Sequence, residues 1–487
     1  MAHLPESVKH EFVNLPLYRR GKVRDTYLLT DHPDLLLSVA SDRISIFDFV
    51  LSALIPQKGE ILTAMNEFWR AQIVGDIVPH DLVAYGSGID TYLPANLRNN
   101  RELQKRASVV RKLAMLPIEA VVRGYLTGSG WESYQRDRMV CGHRLPELLF
   151  DGVQLPYVIF TPTTKEEEGH DEHIDADYVG RKYSPAVERI SLQLYQSALG
   201  FARGRGIVLA DTKFEFGTNG SVLTLGDELL TPDSSRFWNL DEWRNAAAAY
   251  TSPSSLDKQF VREEGRRLGI KGLDPRRSED RARVHGFEIA PSICAQTTRI
   301  YRHIFSRLAG MKLEMYQRYV MAIDIEIPMT RIEIVLGSKS DLDQTEAGRQ
   351  FLSKQSKVDA HLNVISCHRN PETLRNFVAS LPDDCVVIAA AGKAAALPGI
   401  IRSWLEHFGI GNIPVLGVGL EGNSDASDYA ARLSIEELPG RSVILDGDQA
   451  YFGGKGFLKA CKDGVKNEYL CVSGQVREAD IDIPLLS

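Results

Sequence analysis

The sequence predicts two domains of different class, an α+β domain over residues 1–318 and an α/β domain of three layers around a parallel sheet over 331–487, joined by a connector at 319–330. Three observations carry this expectation. The chain has 487 residues, more than one ordinary core accommodates. Its first part combines a hairpin pattern at 209–225 with amphipathic helical patterns after Ser184. From Arg331 onward, short apolar runs alternate with helical patterns, which is how parallel strands covered on both faces are built.

Composition narrows the function classes. Apolar residues make up 44% and charged residues 25%, as in globular proteins. A net charge of −7 argues against a nucleic-acid partner. The opening Met-Ala-His-Leu-Pro-Glu has no basic stretch leading into an apolar run, and no apolar span is long enough for a bilayer, so neither a signal peptide nor a membrane segment is expected. The six cysteines form no Cys-x-x-Cys pair, which points to a reducing cytoplasm and against a structural zinc site.

In the first domain the key stretch is Leu209-Ala-Asp-Thr-Lys-Phe-Glu-Phe-Gly217, a turn at Thr218-Asn-Gly220, a second strand at 222–225, then Gly226-Asp-Glu-Leu-Leu-Thr-Pro-Asp-Ser-Ser-Arg236. Alternation puts Asp211, Lys213 and Glu215 on one face, and the turn returns Asp227 and Glu228 toward it. Carboxylates crowded beside a lysine, with an arginine after a tight turn, suit a divalent cation and phosphates better than a solvated hairpin face. Helices are expected at 185–203, 238–248, 255–268 and 290–315, with the Arg-rich segment 274–288 a loop. His170 and His173 beside Asp171 and Glu172 have the composition of a metal site but no evident scaffold.

In the second domain, strands are expected at 331–336, 361–365, 385–391 and 413–418, with helices at 341–355, 371–380 and 397–408 between them. This series implies a flavodoxin-like arrangement, with ligands at the carboxyl ends of the strands. Gly337-Ser-Lys-Ser-Asp341, Ser366-Cys-His-Arg369 and Ala391-Gly-Lys-Ala-Ala-Ala-Leu-Pro-Gly399 all fall there. Asp341 is placed to cap the first helix, and the helix start favours a phosphate.

The first domain resembles the phosphoribosylaminoimidazole-succinocarboxamide synthase family. Besides the hairpin, the resemblance rests on Tyr18-Arg-Arg-Gly-Lys-Val-Arg-Asp-Thr-Tyr27, Ser41-Asp-Arg-Ile-Ser-Ile-Phe-Asp48, Ile55-Pro-Gln-Lys-Gly59, Glu119-Ala-Val-Val-Arg-Gly-Tyr-Leu-Thr-Gly-Ser-Gly-Trp131 and Phe160-Thr-Pro-Thr-Thr-Lys-Glu-Glu-Glu-Gly-His-Asp-Glu172. It implies an α+β ATP-binding synthase that joins aspartate to a carboxyaminoimidazole ribonucleotide with ATP and Mg2+. It places Lys22 and Arg24 at the ATP phosphates and Glu215 and Asp227 on Mg2+, with Asp211 and Glu228 as further metal candidates. Arg123, Ser129 and Arg236 fall on the ribonucleotide phosphate, and Lys213 contacts the reacting substrate.

The second domain resembles the aminoimidazole ribonucleotide carboxylase family, through Gly-Ser-x-Ser-Asp, Ser-x-His-Arg and Ala430-Ala-Arg-Leu-Ser-Ile-Glu-Glu-Leu-Pro-Gly440, the last matching a substrate-contacting loop. The resemblance implies that Ser338, Ser340, Asp341, Ser366 and Arg369 bind the imidazole ribonucleotide, that His368 moves the proton, and that the domain forms a homo-oligomer. Ala396 stands where the mutase class has histidine, Arg369 where the direct carboxylases have lysine, and Gln449-Ala-Tyr-Phe-Gly-Gly454 departs from the mutase pattern. Mutase, direct carboxylase and a non-catalytic oligomerisation or ligand-binding module remain open at this point.

Overall fold

The computed structural model describes residues 3–8, 13–165, 172–253, 255–382, 385–408, 413–438 and 443–466. Two compact units emerge, residues 1–326 and 327–487. The expected connector at 319–330 therefore divides. Met321 and Ile323 are buried at 1% exposure, and the Ser87 N–H donates to the Met321 carbonyl at 2.9 Å. Thr330 already opens the first strand of the second unit. No helix among the described residues is long and apolar enough to cross a membrane.

The first unit holds a five-stranded antiparallel sheet in the order Leu17–Arg20, Arg24–Leu28, Leu35–Ala40, Ala107–Arg111, Leu82–Tyr85. A second sheet is organised around the long strand Ile207–Asn219. That strand pairs with Val222–Gly226 through the expected turn, and around Asp211 it is flanked by Ile118–Tyr125 on one edge and Ser235–Asn239 on the other. The helix Lys58–Trp69 is buried along its entire length and runs directly into a π turn, Arg70–Val74. Single π turns of this kind collect at functional sites.

Helix Ala186–Arg203 forms as expected. The other helical expectations need correction. The 290–315 pattern is two helices, Pro291–Ala309 and Leu313–Tyr319, because Gly310 takes a left-handed φ of 69° and its N–H caps the Ser306 carbonyl. Trp238 belongs to a strand, and the next helix starts after Asn239, whose side chain accepts from Asp241 and Glu242 N–H. The 255–268 pattern shortens to Gln259–Arg267, and the presumed loop contains helix Ser278–His285, which buries only Val284 and so leaves little apolar periodicity to read.

The second unit is a five-stranded parallel sheet ordered Val358–Val364, Thr330–Leu336, Val386–Ala391, Val415–Gly419, Tyr451–Phe452. Alternating side chains of its central strands feed two cores. Val335, Val387 and Val415 pack with Leu374, Ile401 and Ile435 on one face. Ile332, Ile334, Val386 and Ile388 pack with Leu352, Phe457 and Cys461 on the other. Helices Leu342–Ser353, Pro371–Ala379 and Leu397–His407 match the expected series. Two helices and the last strand were not expected. Asp425–Glu436 is helical where a loop was read, with Pro439 and Gly440 outside the described residues, and Gly453–Lys466 follows a strand of two residues.

Candidate active site

The register of the long strand builds the site of the first unit. Asp211 lies opposite Arg123 on one neighbour and opposite Arg236 on the other. Its Oδ2 accepts from Arg123 Nη1 at 2.5 Å and also from Arg236 Nη1. Arg123 Nη2 donates to Ser129 Oγ at 3.0 Å and its Nε to Thr161 Oγ1 at 3.1 Å. A Cβ on Gly128, itself at φ +55°, would run into the Arg236 guanidinium, so the turn before Ser129 requires glycine. Asp211 is thus the anchor of two guanidiniums.

Two residues farther along, Lys213 pairs with Glu119. Burial works against the charged lysine, but Glu119 and Glu215 outweigh it and hold its pKa above the ordinary value. Glu215 pairs with Lys165, whose Nζ lies 3.7 Å from Asp227. Arg24 Nη1 donates to Asp227 Oδ1 at 2.6 Å, and its Nη2 is 3.8 Å from Glu228. Burial and then the Asp227 charge push the Glu215 carboxyl up, while Lys165 and Lys213 oppose. For Asp227 burial is overcome by Arg24 and Lys165, which hold it well below the usual range.

Glu215 and Asp227 therefore converge on one ammonium, a point of concentrated negative charge that fits a divalent cation. Among the described residues no three His, Cys, Asp or Glu side chains form a ready ligand set. The remaining ligands of a metal held by this pair would be phosphate oxygens and water. Glu228 faces Arg24 and accepts from the Thr231 hydroxyl. Lys22 pairs with Asp48 at 2.7 Å. His170 and Asp171 lie outside the described residues. His173 Nδ1 is 3.1 Å from Cys141 Sγ.

Several contributors escaped the sequence reading of single residues. Lys165 and Glu119 sit inside motifs already noted, yet only the fold shows what they pair with. Lys58, fully buried, forms an ion pair with Asp233 at 2.6 Å, and Tyr301 OH donates to the same carboxylate at 2.7 Å. Burial pushes the Lys258 ammonium down to about 8 against the opposing pull of Asp233, with Arg262, Lys58 and Lys213 nearby.

Behind the site, Glu67 is 2% exposed and accepts from Ser108 Oγ at 2.9 Å. Burial, opposed by Arg70, raises its carboxyl from 4.5 to about 7. The folded state therefore keeps a proton that the unfolded chain releases, so the stability tied to Glu67 is full below the unfolded value and is lost as pH rises to about 7. Glu67→Gln is expected to stabilise the protein by up to about 3 kcal/mol above neutral pH and little near pH ~5. Denaturant melts of both proteins at the two pH values check this. An equal difference at both would rule the titration out.

In the second unit the loops after the first two strands meet. Arg369 N–H donates to Ser366 Oγ at 3.3 Å, and its guanidinium reaches the Gly337 carbonyl at 3.5 Å. Ser338 Oγ accepts from the Ser340 N–H at 3.3 Å and hydroxyl at 2.9 Å. Asp341 stands at the helix start but its side chain makes no capping hydrogen bond, contrary to expectation. Burial raises its carboxyl while Ser338, Ser340 and the Arg369 charge pull it back. His368 is exposed in the turn at 367–369, and Ala396 occupies the N-cap of helix Leu397–His407.

Each unit is similar to known proteins. The family described as SAICAR synthetase matches residues 17–273, and that described as AIR carboxylase matches 331–443. Phosphoribosylaminoimidazole-succinocarboxamide synthase of Thioalkalivibrio sulfidiphilus is 43% identical over 309 residues, covering 62% of this chain and 98% of its own length. The Polaromonas enzyme of the same name is 42% identical over 308 residues, covering 61% and 96%. The solved SAICAR synthase of Saccharomyces cerevisiae, complexed with SAICAR, aligns with a TM-score of 0.53 at 35% identity over 63% of this chain and 99% of its own. The chain belongs to the SAICAR synthetase family of ATP-dependent purine-biosynthesis ligases and carries an AIR carboxylase-like domain C-terminal to the ligase unit in sequence.

Proposed function

We propose that the first unit ligates L-aspartate to carboxyaminoimidazole ribonucleotide through an acyl phosphate, and that the second unit makes that ribonucleotide by carboxylation or carboxylate migration. The observation that supports this best is the division of labour on one strand. Asp211 presents two guanidiniums, and Glu215, four residues on, joins the Arg24, Lys165 and Asp227 cluster. Four strand residues span about 13 Å, a separation suited to the phosphate of a ribonucleotide at one end and its reacting carboxylate at the other.

A carboxylate is a poor electrophile. Transfer of the ATP γ-phosphoryl to it creates a leaving group, the aspartate amine attacks the carbonyl carbon, and inorganic phosphate departs. Arg123, Ser129 and Arg236 would grip the ribonucleotide phosphate in forked hydrogen bonds. Lys22 and Arg24 would face the ATP phosphates, and Glu215 and Asp227 would hold Mg2+. When bound, Mg2+ neutralises charge on the transferring phosphoryl. Lys213, kept cationic by Glu119 and Glu215, would stabilise developing negative charge on the reacting carboxylate and does not serve as a base.

In the second unit, Ser338, Ser340, Asp341, Ser366 and Arg369 would bind an imidazole ribonucleotide, with His368 handling the proton. The strand order of this unit supports a flavodoxin-like reading, with the site at the carboxyl ends of the strands. We assign the synthase role to the unit ending at 326 and the carboxylase-like role to the unit beginning at 327. A homo-oligomer built through the second unit and a cytoplasmic setting complete the proposal.

The test is aspartate-dependent release of ADP in the presence of carboxyaminoimidazole ribonucleotide. Arg236→Lys keeps the charge but loses the planar fork, and is expected to raise the ribonucleotide KM by about tenfold or more while leaving the ATP KM unchanged. A rise confined to ATP would reverse the two subsites.

A further inference from the structure

Asp227 adopts a left-handed backbone, φ 57°, that L residues other than Asn and Asp rarely take. Both sides of this residue are pinned by one buried ion pair. Its N–H donates to Asp81 Oδ2 at 3.2 Å, and its carbonyl accepts from Arg70 Nη2 at 2.9 Å. The same Nη2 donates to Asp81 Oδ1 at 2.7 Å, with the two side chains 2% and 7% exposed. Neighbouring contacts fix the frame. Asp81 N–H donates to the Leu225 carbonyl at 2.9 Å and Leu225 N–H to the Pro79 carbonyl at 2.8 Å. Leu229 N–H donates to Asn66 Oδ1 at 2.9 Å. Arg70 opens the π turn at the end of Lys58–Trp69, with its N–H still donating to the Asn66 carbonyl as in the helix.

We propose that the Arg70–Asp81 pair is a positioning unit for the ligase, holding Asp227 in its left-handed conformation so that its carboxylate faces the cation and Arg24. The inference rests on the reading of Asp227 as a metal ligand. A side chain that only braced the fold needs neither hydrogen bond to the Asp227 peptide. Here one residue of the pair takes the N–H, the other takes the carbonyl, and each also holds its partner. Loss of the acceptor on Asp81 frees the peptide to relax to negative φ, which swings the carboxylate away while leaving the Arg123–Asp211–Arg236 group untouched.

The experiment uses the full chain and Mn2+, titrated with ADP present and followed by electron paramagnetic resonance. Asp81→Ala is expected to weaken Mn2+ binding by about 10- to 100-fold, the usual effect of removing a residue that orients a metal ligand. Its affinity for the ribonucleotide should stay at the wild-type value, and high Mg2+ should restore turnover, which it would not do for a folding defect. Asp81→Asn keeps an oxygen for the Asp227 N–H but turns its amide NH2 toward the Arg70 donor, and is expected to recover part of the Mn2+ affinity. Wild-type Mn2+ affinity in Asp81→Ala, with loss in Asp227→Asn, overturns the positioning role and leaves the metal assignment standing. Wild-type affinity in Asp227→Asn overturns the metal assignment itself. An Asp81→Asn protein as weak as Asp81→Ala, or a ribonucleotide affinity that falls in step with that of Mn2+, also overturns the proposal.

Discussion

Glu215→Gln is expected to lower succinocarboxamide formation by about 10²- to 10³-fold, or ~3–4 kcal/mol of transition-state stabilisation, and to raise the Mg2+ concentration needed for half-maximal rate. The side chain keeps its volume, so the long strand and its pairing survive. It loses the charge that, with Asp227, draws Lys165 to one point. Asp227→Asn should act in the same direction. It also removes the partner of Arg24, whose guanidinium pKa is raised, against burial, by Asp227 and then Glu228. The two variants together should cost less than the sum of the two, because both act through the same cation. Turnover and Mg2+ dependence measured on each single variant decide the matter. Unchanged values in both would end the metal assignment. A kcat loss with unaltered Mg2+ dependence would turn Glu215 into a residue that works through Lys165 alone.

How much of this was readable beforehand depends on whether a feature is local. The charged strand was legible because alternation and the Thr218-Asn-Gly220 turn act within neighbouring residues, and the structure returns the hairpin in register from Glu215↔Gly226 to Asn219↔Val222. The parallel sheet was legible because Val386–Ala391 and Val415–Gly419 are buried throughout and read as unbroken apolar runs. What closes the site is not local. Arg24 meets Asp227 across 203 positions and Tyr301 meets Asp233 across 68. No spacing rule connects such pairs. Lys58 stood in a noted block, Ile55-Pro-Gln-Lys-Gly59, but its buried pairing with Asp233 appears only in the fold. The final strand of the second unit escaped because two residues carry no period.

The family resemblance compensated where local pattern failed, since it put Lys22, Arg24, Arg123 and Ser129 in one site without any contact being known. Arg123 and Ser129 come together at 3.0 Å around the shared Asp211 group, and Lys22 pairs with Asp48. Two guanidiniums from adjacent strands meet at the Asp211 carboxylate, a junction that no local spacing shows.

His368→Asn is expected to abolish carboxylation of aminoimidazole ribonucleotide, by at least about 10²-fold, while the ligase step retains its wild-type rate. The argument runs through what else on that sheet edge could move a proton. The chemistry needs a group that accepts and returns a proton at the imidazole carbon while the carboxyl group arrives. Among the described residues of the loops at 337–341, 366–369 and 391–399, His368 is the single histidine. Ala396 supplies only a methyl group at the helix start. Asp341 is already engaged with Ser340 and the field of Arg369. His368 is exposed in its turn, so asparagine fits there without repacking a core, and loss of activity reports chemistry. The readout is product formation from aminoimidazole ribonucleotide with bicarbonate and, separately, from its N-carboxylated form. Activity with only the second substrate places the unit among mutases, and activity with only the first among direct carboxylases. A His368→Asn protein as active as wild type would remove the histidine from the mechanism. A wild type that binds the ribonucleotide but converts neither form would make the second unit a binding module, with Ala396 as the residue that accounts for its silence.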